Sequence, residues 1–350
     1  MVEGRFQYHG ASTIQARMND DACQIVVHTN FDTVTIKSVH LSVGKDPLYV
    51  KISWDKNDEK QYLRVTPEYP LSKNTLIKLS FTFMVNVPKN TESLDGLYSS
   101  YYDDADGTRN YLLATQFEAW GARMAFPCFD EPALKATFDM TISYKHYGRY
   151  TAMFNTPPKD TTRLEGVTMD TFHRTMKISP YILAIVVAPF TKVSTVSPGG
   201  VDVGVIGRDI WKQDAQYALD EAAIIIDRLG EKFGIEYCSA YGENCKSDQI
   251  AIPQMRFGAM ENWGLVTYRE YYLYYVEGRD NFLRKRQSSS IIGHELIHQW
   301  FGNLVTCDWW DEIYINEAFG SIGGYLGLSM TGTDAEFQWE DEYLCSQDRC

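Results

Sequence analysis

The spacing of apolar residues changes near residue 200, and this change constrains the fold more than any other feature. Up to about residue 206 the chain carries short alternating or β-branched apolar runs, which are typical of antiparallel strands with one buried face. From residue 213 to 233 apolar side chains recur at helical spacing and stop just before Gly234, as at the end of an amphipathic helix. The sequence therefore predicts an α+β protein in two parts, residues 1–195 and residues 196–350.

The apolar runs and the turn signals between them predict the layout of both parts. Predicted strands cover residues 24–28, 33–43, 49–52, 76–87, 111–117, 137–144, 172–178, 182–187 and, in the second part, 249–253. Predicted helices cover residues 213–233, 288–301 and 315–329. Turn pairs such as Asp95-Gly96 and Asp106-Gly107 separate the strands of the first part, which fits a sandwich or saddle of antiparallel strands.

Charge and hydropathy argue against two classes of partner. The chain has 33 basic and 46 acidic residues and a net charge of -13, which disfavours a nucleic-acid surface and mildly favours cationic ligands or free amines. The most apolar run, residues 182–187, is far shorter than the roughly 18 to 20 residues of a membrane helix. We therefore expect no nucleic-acid partner and no membrane span in this chain, and its oligomeric state stays open.

The seven cysteines leave their pairing open. Cys238 with Cys245, and Cys345 with Cys350, are close enough in sequence to form small disulfide loops in an oxidising compartment. Reduced and mostly buried thiols explain the same residues equally well. Because the number is odd, at least one thiol is free or pairs outside the chain.

The segment from Gly293 to Trp300 contains the pattern H-E-x-x-H inside an apolar helical run. Residues four apart share one face of a helix, so the rings of His294 and His298 can reach one zinc ion while Glu295 projects beside them. A third ligand should follow, and Glu317 lies 18 intervening residues beyond His298, on the next predicted helix. Two core histidines and a surface glutamate would be the plainer interpretation, but the spaced third ligand disfavours it.

These residue types predict a catalytic zinc site, with one Zn²⁺ per chain and one coordination position left for water. Zinc lowers the pKa of water and polarises a scissile carbonyl, and Glu295 can take the water proton and pass it to the leaving amine. The predicted chemistry is therefore peptide hydrolysis without a covalent intermediate.

Two further segments accompany HELIHQWFGNLVT at residues 294–306: FGAMENWG at 257–264, and TQFE at 115–118 followed by AFPCFDEP at 125–132. Together they resemble the aminopeptidase N family of gluzincin zinc aminopeptidases, the first as its exopeptidase signature and the second as its substrate floor. The resemblance extends over most of the chain. It implies an N-terminal antiparallel β-saddle docked on a thermolysin-like zinc metallopeptidase domain.

The resemblance also implies that the substrates are peptides with a free N-terminus. Such an enzyme needs carboxylates near the metal to bind the substrate α-ammonium, and Glu261, helped by Glu118, is implied in this role. The backbone of Gly258 and Ala259 can pair with the substrate as an added strand. The implied catalytic residue is Glu295, and the implied substrate-binding residues are Gln116, Glu118, Gly258, Ala259, Met260, Glu261 and Asn262.

The chain departs from the family at Ala318, where glycine is usual, and at Arg256, where a small residue is commoner. The family's transition-state tyrosine and its C-terminal helical domain would lie beyond residue 350. We therefore expect a fragment that binds zinc but turns over peptides weakly or not at all.

Two alternatives to a zinc aminopeptidase remain. The first is a bifunctional epoxide hydrolase and aminopeptidase of the leukotriene hydrolase type, although residues 126–132 and 257–261 look closer to aminopeptidase N. The second is a catalytically weak or inactive peptide-binding member of the same family, which truncation favours and the intact Glu295 disfavours. The resemblance favours the plasma membrane or the extracellular face as the location, with the cytoplasm as the alternative.

Overall fold

The structure, a computed structural model, describes residues 6–44, 48–88, 93–145 and 149–333 of the chain. It is a mixed α+β fold, with antiparallel sheets in the first part and a five-stranded sheet with helices in the second. The predicted fold class is confirmed at this level.

The strands of the first part form four sheets. They are β1 (Phe6–Arg17), β2 (Ile25–His28), β3 (Val34–Val43), β4 (Leu48–Val50), β5 (Ile52–Asn57), β6 (Tyr62–Pro67), β7 (Leu76–Val87), β8 (Gly96–Asp103), β9 (Arg109–Gln116), β10 (Thr141–Lys145), β11 (Thr151–Phe154), β12 (Pro158–Leu164), β13 (Val167–Phe172) and β14 (Ile185–Ala188). The neighbour orders are β1-β7-β3-β4, β2-β6-β5, β10-β13-β12 and β11-β14-β9-β8. Neighbouring strands in these four sheets run antiparallel.

Strand β7 shows why the sequence folds this way. It pairs with β1 on one side and β3 on the other, so its backbone groups are satisfied within the sheet. Its side chains alternate between a buried face and an outer face, as the two-residue period of a strand requires. Ile77, Leu79, Phe81 and Phe83 all point into the core.

The second part combines one sheet with helices. Its strands are β15 (Thr191–Val196), β16 (Asp202–Gly207), β17 (Lys246–Ile252), β18 (Ala259–Met260) and β19 (Leu265–Arg269), and its helices are α1 (Gln216–Phe233), α2 (Tyr237–Tyr241), α3 (Glu270–Leu273), α4 (Phe282–Ile297) and α5 (Ile313–Thr331). The strand order is β15-β16-β17-β19-β18. Strands β16, β17 and β19 run parallel, whereas β15 and β18 are antiparallel to their neighbours. The short strand β18 therefore lies at one edge of the sheet.

Helices α4 and α5 approach each other closely because glycines meet at their crossing. A Cβ atom placed on Gly293 of α4 would lie 2.4 Å from the backbone oxygen of Gly323 and 3.0 Å from the Cα of Gly327 on α5. No side chain fits in that space. The contact therefore brings the backbone of α5 against the helix that carries the H-E-x-x-H pattern.

Several predicted boundaries are wrong. The segment 173–178 is not a strand. After Phe172, the last residue of β13, the chain contacts residues 136–138 through backbone hydrogen bonds of Thr175 and Ile178. From Phe172 to Thr175 it advances three residues while its partner advances two, so no regular ladder forms. Regular strand structure begins only at residue 141 in the predicted strand 137–144 and at 185 in the predicted strand 182–187.

The helix boundaries and several strands also differ from the sequence expectation. Helix α4 begins six residues before the predicted Ser288, because the side chain of Asn281 caps it by accepting a 3.0 Å hydrogen bond from the Arg284 N–H. It also ends at Ile297 and not at the predicted Phe301. The apolar runs did not predict β1, β6, β8, β11, β12, β13, β15, β16, β18 or β19, and they included only the first residue of β5.

One of the two disulfide loops that the sequence left open is present. Cys238 and Cys245 are bonded, with their Cα atoms 5.3 Å apart. Cys345 and Cys350 lie outside the described residues. Among the helices of the described ranges, none combines the length and the apolar character needed to cross a membrane.

Candidate metal centre and peptide cleft

Three side chains from two neighbouring helices converge at one point. His294 lies on α4, His298 directly follows its last residue, and Glu317 lies on the second turn of α5. The two histidine Nε2 atoms are 3.2 Å apart, and the Glu317 carboxylate oxygens lie 3.5 Å from His294 Nε2 and 4.0 Å from His298 Nε2. Because the donor atoms all lie within 4.8 Å of one another, they can hold one metal ion.

The hydrogen bond on the far side of the His298 ring decides which nitrogen faces this point. His298 Nδ1 lies 2.9 Å from the carbonyl oxygen of Phe301, which can only accept, so Nδ1 carries the proton. In this tautomer the lone pair of Nε2 faces His294 and Glu317. This is the tautomer that a metal-binding histidine needs, held by a backbone acceptor. Two imidazole nitrogens and one carboxylate also form a donor set used by catalytic zinc.

The same region contains an excess of carboxylates. Burial raises the pKa of Glu295 well above its ordinary value, and three neighbouring carboxylates raise it further. Burial, followed by the charges of Glu261 and Glu317, also raises the pKa of Glu118. Contact with His294, in contrast, lowers the pKa of Glu317 and favours the ionised form that a ligand needs. A divalent cation and a substrate ammonium would both relieve the repulsion between these groups.

Glu261 follows the edge strand β18 and is almost fully buried. Within the described ranges, its carboxylate oxygen Oε1 has no hydrogen-bond partner. A buried, unpaired carboxylate oxygen is costly unless a ligand supplies the partner. The geometry of Glu261 therefore suits a cationic ligand.

The cleft in front of these groups has a volume of about 860 Å³. Its lining includes the predicted site residues Glu118, Gly258, Ala259, Glu261, His294, Glu295 and Glu317. The structure thus brings together residues from the first part, from β18 and from both helices. A smaller cavity of about 190 Å³, beside Tyr144 and Arg163, contains none of the predicted site residues.

Three predicted substrate-binding residues are buried behind the residues that form the wall of the cleft. Gln116 is fully buried, and its side-chain amide donates to the Met260 sulfur over 3.3 Å. Met260 is also buried. The Asn262 amide donates to Thr267 Oγ1 over 3.2 Å. None of the three is among the residues that line the cleft, so in this structure they support the wall.

Sequence reasoning gave no role to Gln299 and Asn303, which anchor Glu261 from behind. Both side-chain amides donate to its backbone carbonyl, over 3.2 Å and 2.9 Å, and Asn303 also donates to Gln299 Oε1 over 3.1 Å. Gln299 reaches the carbonyl of Glu295 as well, over 3.0 Å. A signal was available, because Glu295, Gln299 and Asn303 are spaced four apart in an apolar segment.

Two family models match the chain. The model for the "Peptidase M1 N-terminal domain" matches residues 2–182, and the model for the "Peptidase family M1 domain" matches residues 217–349. The chain belongs to the peptidase M1 family. This M1 assignment confirms the resemblance inferred from the three sequence segments, and it makes zinc the expected metal.

Curated relatives of this M1 chain are named aminopeptidases. Endoplasmic reticulum aminopeptidase 1 from Mus musculus is 36% identical over 331 residues, which cover 92% of the chain and 34% of that protein. Aminopeptidase N from Rattus norvegicus is 35% identical over 334 residues, or 93% of the chain and 34% of that protein. Puromycin-sensitive aminopeptidase from Caenorhabditis elegans is 34% identical over 328 residues, or 92% of the chain and 33% of that protein. The M1 chain thus spans about a third of the length of these relatives.

Proposed function

We propose that the chain is the metal-binding and peptide-binding part of a zinc aminopeptidase, which hydrolyses the first peptide bond of peptides with a free N-terminus. The observation that supports this most is that a two-histidine, one-carboxylate donor set shares one cleft with Glu295, Glu261 and Glu118. Membership of the M1 family and the names of the relatives agree with it.

His294, His298 and Glu317 are the proposed ligands of one zinc ion per chain. When bound there, zinc supplies Lewis acidity toward water and toward the scissile carbonyl. The backbone acceptor at Phe301 keeps the His298 ring in the ligand tautomer. Glu317 comes from the other helix and completes the set of three protein ligands that leaves a position open for reaction.

Glu295 is the proposed general base and acid. It directly follows His294, is buried, and lines the cleft. Its carboxylate accepts a proton from the attacking water as the water oxygen bonds to the carbonyl carbon. It then gives that proton to the amine nitrogen as the carbon–nitrogen bond breaks. No bond between enzyme and substrate forms at any stage.

Glu261 and Glu118 are the proposed binding sites for the substrate α-ammonium. Both line the cleft, and the burial of Glu261 strengthens a charge-assisted hydrogen bond by excluding water. Recognition of a free ammonium this close to the metal limits cleavage to the first peptide bond. Gln116, Met260 and Asn262 take part by holding these groups in place.

Strand β18 is the proposed docking edge for the peptide backbone. It pairs with β19 on one side only, through Ala259 with Tyr268 and Met260 with Thr267. The open edge can accept the peptide as an added strand, and Gly258 allows close approach of its backbone.

We also propose that residues 1–195 form a β-saddle and residues 196–350 a thermolysin-like domain. The five-stranded sheet supports a division in this region, because it begins with β15 at Thr191. The bond between Cys238 and Cys245 supports an oxidising location, such as the extracellular face, over the cytoplasm.

The test uses a pentapeptide with a free N-terminus and its N-acetylated twin, incubated with the zinc-loaded chain and followed by mass spectrometry. The proposal requires stepwise loss of single residues from the free peptide and none from the acetylated one. Equal cleavage of both, or cleavage at internal bonds, would contradict it. Zinc binding and peptide binding with no cleavage would favour the alternative of a catalytically weak or inactive peptide-binding member.

A further inference from the structure

The cleft has two ends of opposite charge. The acidic side chains already described lie at one end, whereas Arg284 and Arg286 line the other, where α4 begins. This is notable in a chain with a net charge of -13. The aligned peptide dipoles at the start of α4 add to the positive potential.

Arg284 is held in a fixed position inside the cleft. Its guanidinium stacks on the Tyr271 ring, 3.9 Å from the centroid, and its Nη1 donates to Gln287 Oε1 over 3.1 Å. Burial lowers the pKa of Arg284, which Tyr271 and Asp280 oppose. Within the described ranges, no carboxylate forms an ion pair with this guanidinium. It is therefore an oriented, partly desolvated cation that can still accept an anionic partner.

The direction of the bound peptide follows from the proposed function, on which this inference rests. If Glu261 binds the N-terminus and the backbone pairs with β18, the peptide runs antiparallel to β18, past Gly258 and toward Phe257. The backbone of Gly258 lies against α4, because a Cβ placed on it would be 3.3 Å from Ile291 Cδ1. The bound peptide therefore extends from His294 past Ile291 toward the first turns of α4.

The distance along α4 sets which part of the peptide meets Arg284. Arg284 lies ten positions before His294, or roughly 15 Å at the rise of an α-helix. An extended peptide advances about 3.3 Å per residue. The Cα of Arg284 is thus roughly four to five peptide residues from the scissile bond. Because its guanidinium contacts Gln287, one turn nearer to His294, it faces about the third or fourth residue after that bond.

We propose that Arg284 is a specificity residue that binds a carboxylate of the peptide at about the third or fourth position after the scissile bond. The planar guanidinium fork matches a carboxylate with two parallel hydrogen bonds. Either an acidic side chain or the C-terminal carboxylate of a short peptide supplies this group. The cleft then recognises two charged groups of a peptide, the α-ammonium at its acidic end and a carboxylate at Arg284.

The experiment compares peptides that differ only in this charge. One series carries Glu or Gln at the third and fourth positions after the scissile bond, with an amidated C-terminus. A second series lacks acidic side chains and ends at the same positions in a carboxylate or an amide. Both equilibrium binding and kcat/KM are measured with the zinc-loaded chain, with Arg284→Gln, with Arg284→Lys, and with Arg228→Gln, which removes an exposed arginine of α1.

The unmodified chain and Arg228→Gln should prefer the charged peptide roughly tenfold, in line with a charge-assisted hydrogen bond. Arg284→Gln should abolish the preference, Arg284→Lys should keep part of it, and added salt should reduce it. The series that shows the preference identifies the source of the carboxylate. An unchanged preference in Arg284→Gln, or none in the unmodified chain, would overturn the proposal.

The two measurements separate this inference from the proposed function. Charge-selective binding without cleavage would mean that the subsite is present and that the chain is the catalytically weak or inactive peptide-binding member. Cleavage of peptides with free N-termini, without any preference for the charged peptide, would support the proposed function and contradict the role of Arg284.

Discussion

The side-chain amide of Asn303 donates a hydrogen bond of 2.9 Å to the backbone carbonyl of Glu261. Gln299 donates to the same oxygen over 3.2 Å and to the Glu295 carbonyl over 3.0 Å. The segment that holds the two proposed metal-binding histidines therefore also positions the proposed ammonium-binding glutamate. This arrangement couples the distance between the substrate N-terminus and the metal to the segment that follows α4.

Removing this anchor should loosen N-terminal recognition without releasing the metal. Asn303→Ala leaves the buried Glu261 carbonyl with one donor fewer, which typically costs about 1 to 3 kcal/mol. We expect a smaller difference in kcat/KM between free and acetylated peptides, with zinc content unchanged. Measuring kcat/KM for both peptides and the zinc content of the variant tests this prediction. The exposed Asn19→Ala should match the unmodified chain, and an unaltered discrimination in Asn303→Ala would rule out a positioning role.

One zinc per chain should remain after dialysis, because three donor atoms already converge. His294→Ala removes one of them and should bring the zinc content close to zero. His40→Ala, which removes an exposed histidine of β3, should leave it unchanged. Elemental analysis decides the matter, and folded unmodified protein without zinc would refute the site.

Glu295→Gln should keep zinc and lose turnover. The substitution preserves shape but removes the proton acceptor, and loss of a general base typically reduces the rate by about 100-fold or more. The measurements are zinc content and kcat on a free peptide, with the exposed Glu231→Gln as the matched control. If Glu295→Gln lost its zinc, the roles of Glu295 and Glu317 would have to be exchanged.

Glu261→Gln should selectively reduce the activity toward peptides with a free N-terminus. The amide keeps the backbone contacts with Gln299 and Asn303 but removes the charge that pairs with the substrate ammonium. Loss of such a charge-assisted hydrogen bond should lower kcat/KM for free peptides roughly tenfold or more. Any residual cleavage of acetylated peptides should stay the same. A parallel loss for both kinds of peptide would indicate a structural role instead.

Stability should depend on pH through Glu221, which lies on α1 and is buried. Ser289 Oγ donates to its carboxylate, but burial dominates and raises its pKa. A folded-state pKa above the unfolded value means that the folded protein holds this proton more tightly. The contribution of Glu221 to stability is therefore full below its unfolded pKa and is lost as pH rises through the folded pKa.

Glu221→Gln should remove the loss of stability that ionisation of Glu221 causes as the pH rises. The stability of the variant relative to the unmodified chain should increase between about pH 4.3, the ordinary pKa of glutamate, and neutrality. Urea unfolding midpoints across this range test the effect. Glu231→Gln, an exposed change on the same helix, should show no such trend. A constant difference between Glu221→Gln and the unmodified chain would contradict the assignment.

Local backbone geometry explains why the convergence of side chains at the candidate metal centre could in large part be predicted from the residues alone. Residues four apart lie on one face of a helix, so the spacing of His294 and His298 brings their rings together whatever surrounds them. Near residue 200 the spacing of apolar residues changes from a two-residue to a helical period. This change likewise predicted the α+β class, α1 and most of α5. Both signals act within a few residues along the chain.

Contacts between distant residues settled the remainder, because they depend on how sheets and helices pack. Gln116 and Met260 meet although 144 positions separate them, and this contact places Gln116 behind the cleft wall. The pairing of β1 with β7 and the place of Arg284 in the cleft arise in the same way. An apolar period shows which face of an element is buried, but its partner is selected by packing among all the elements at once.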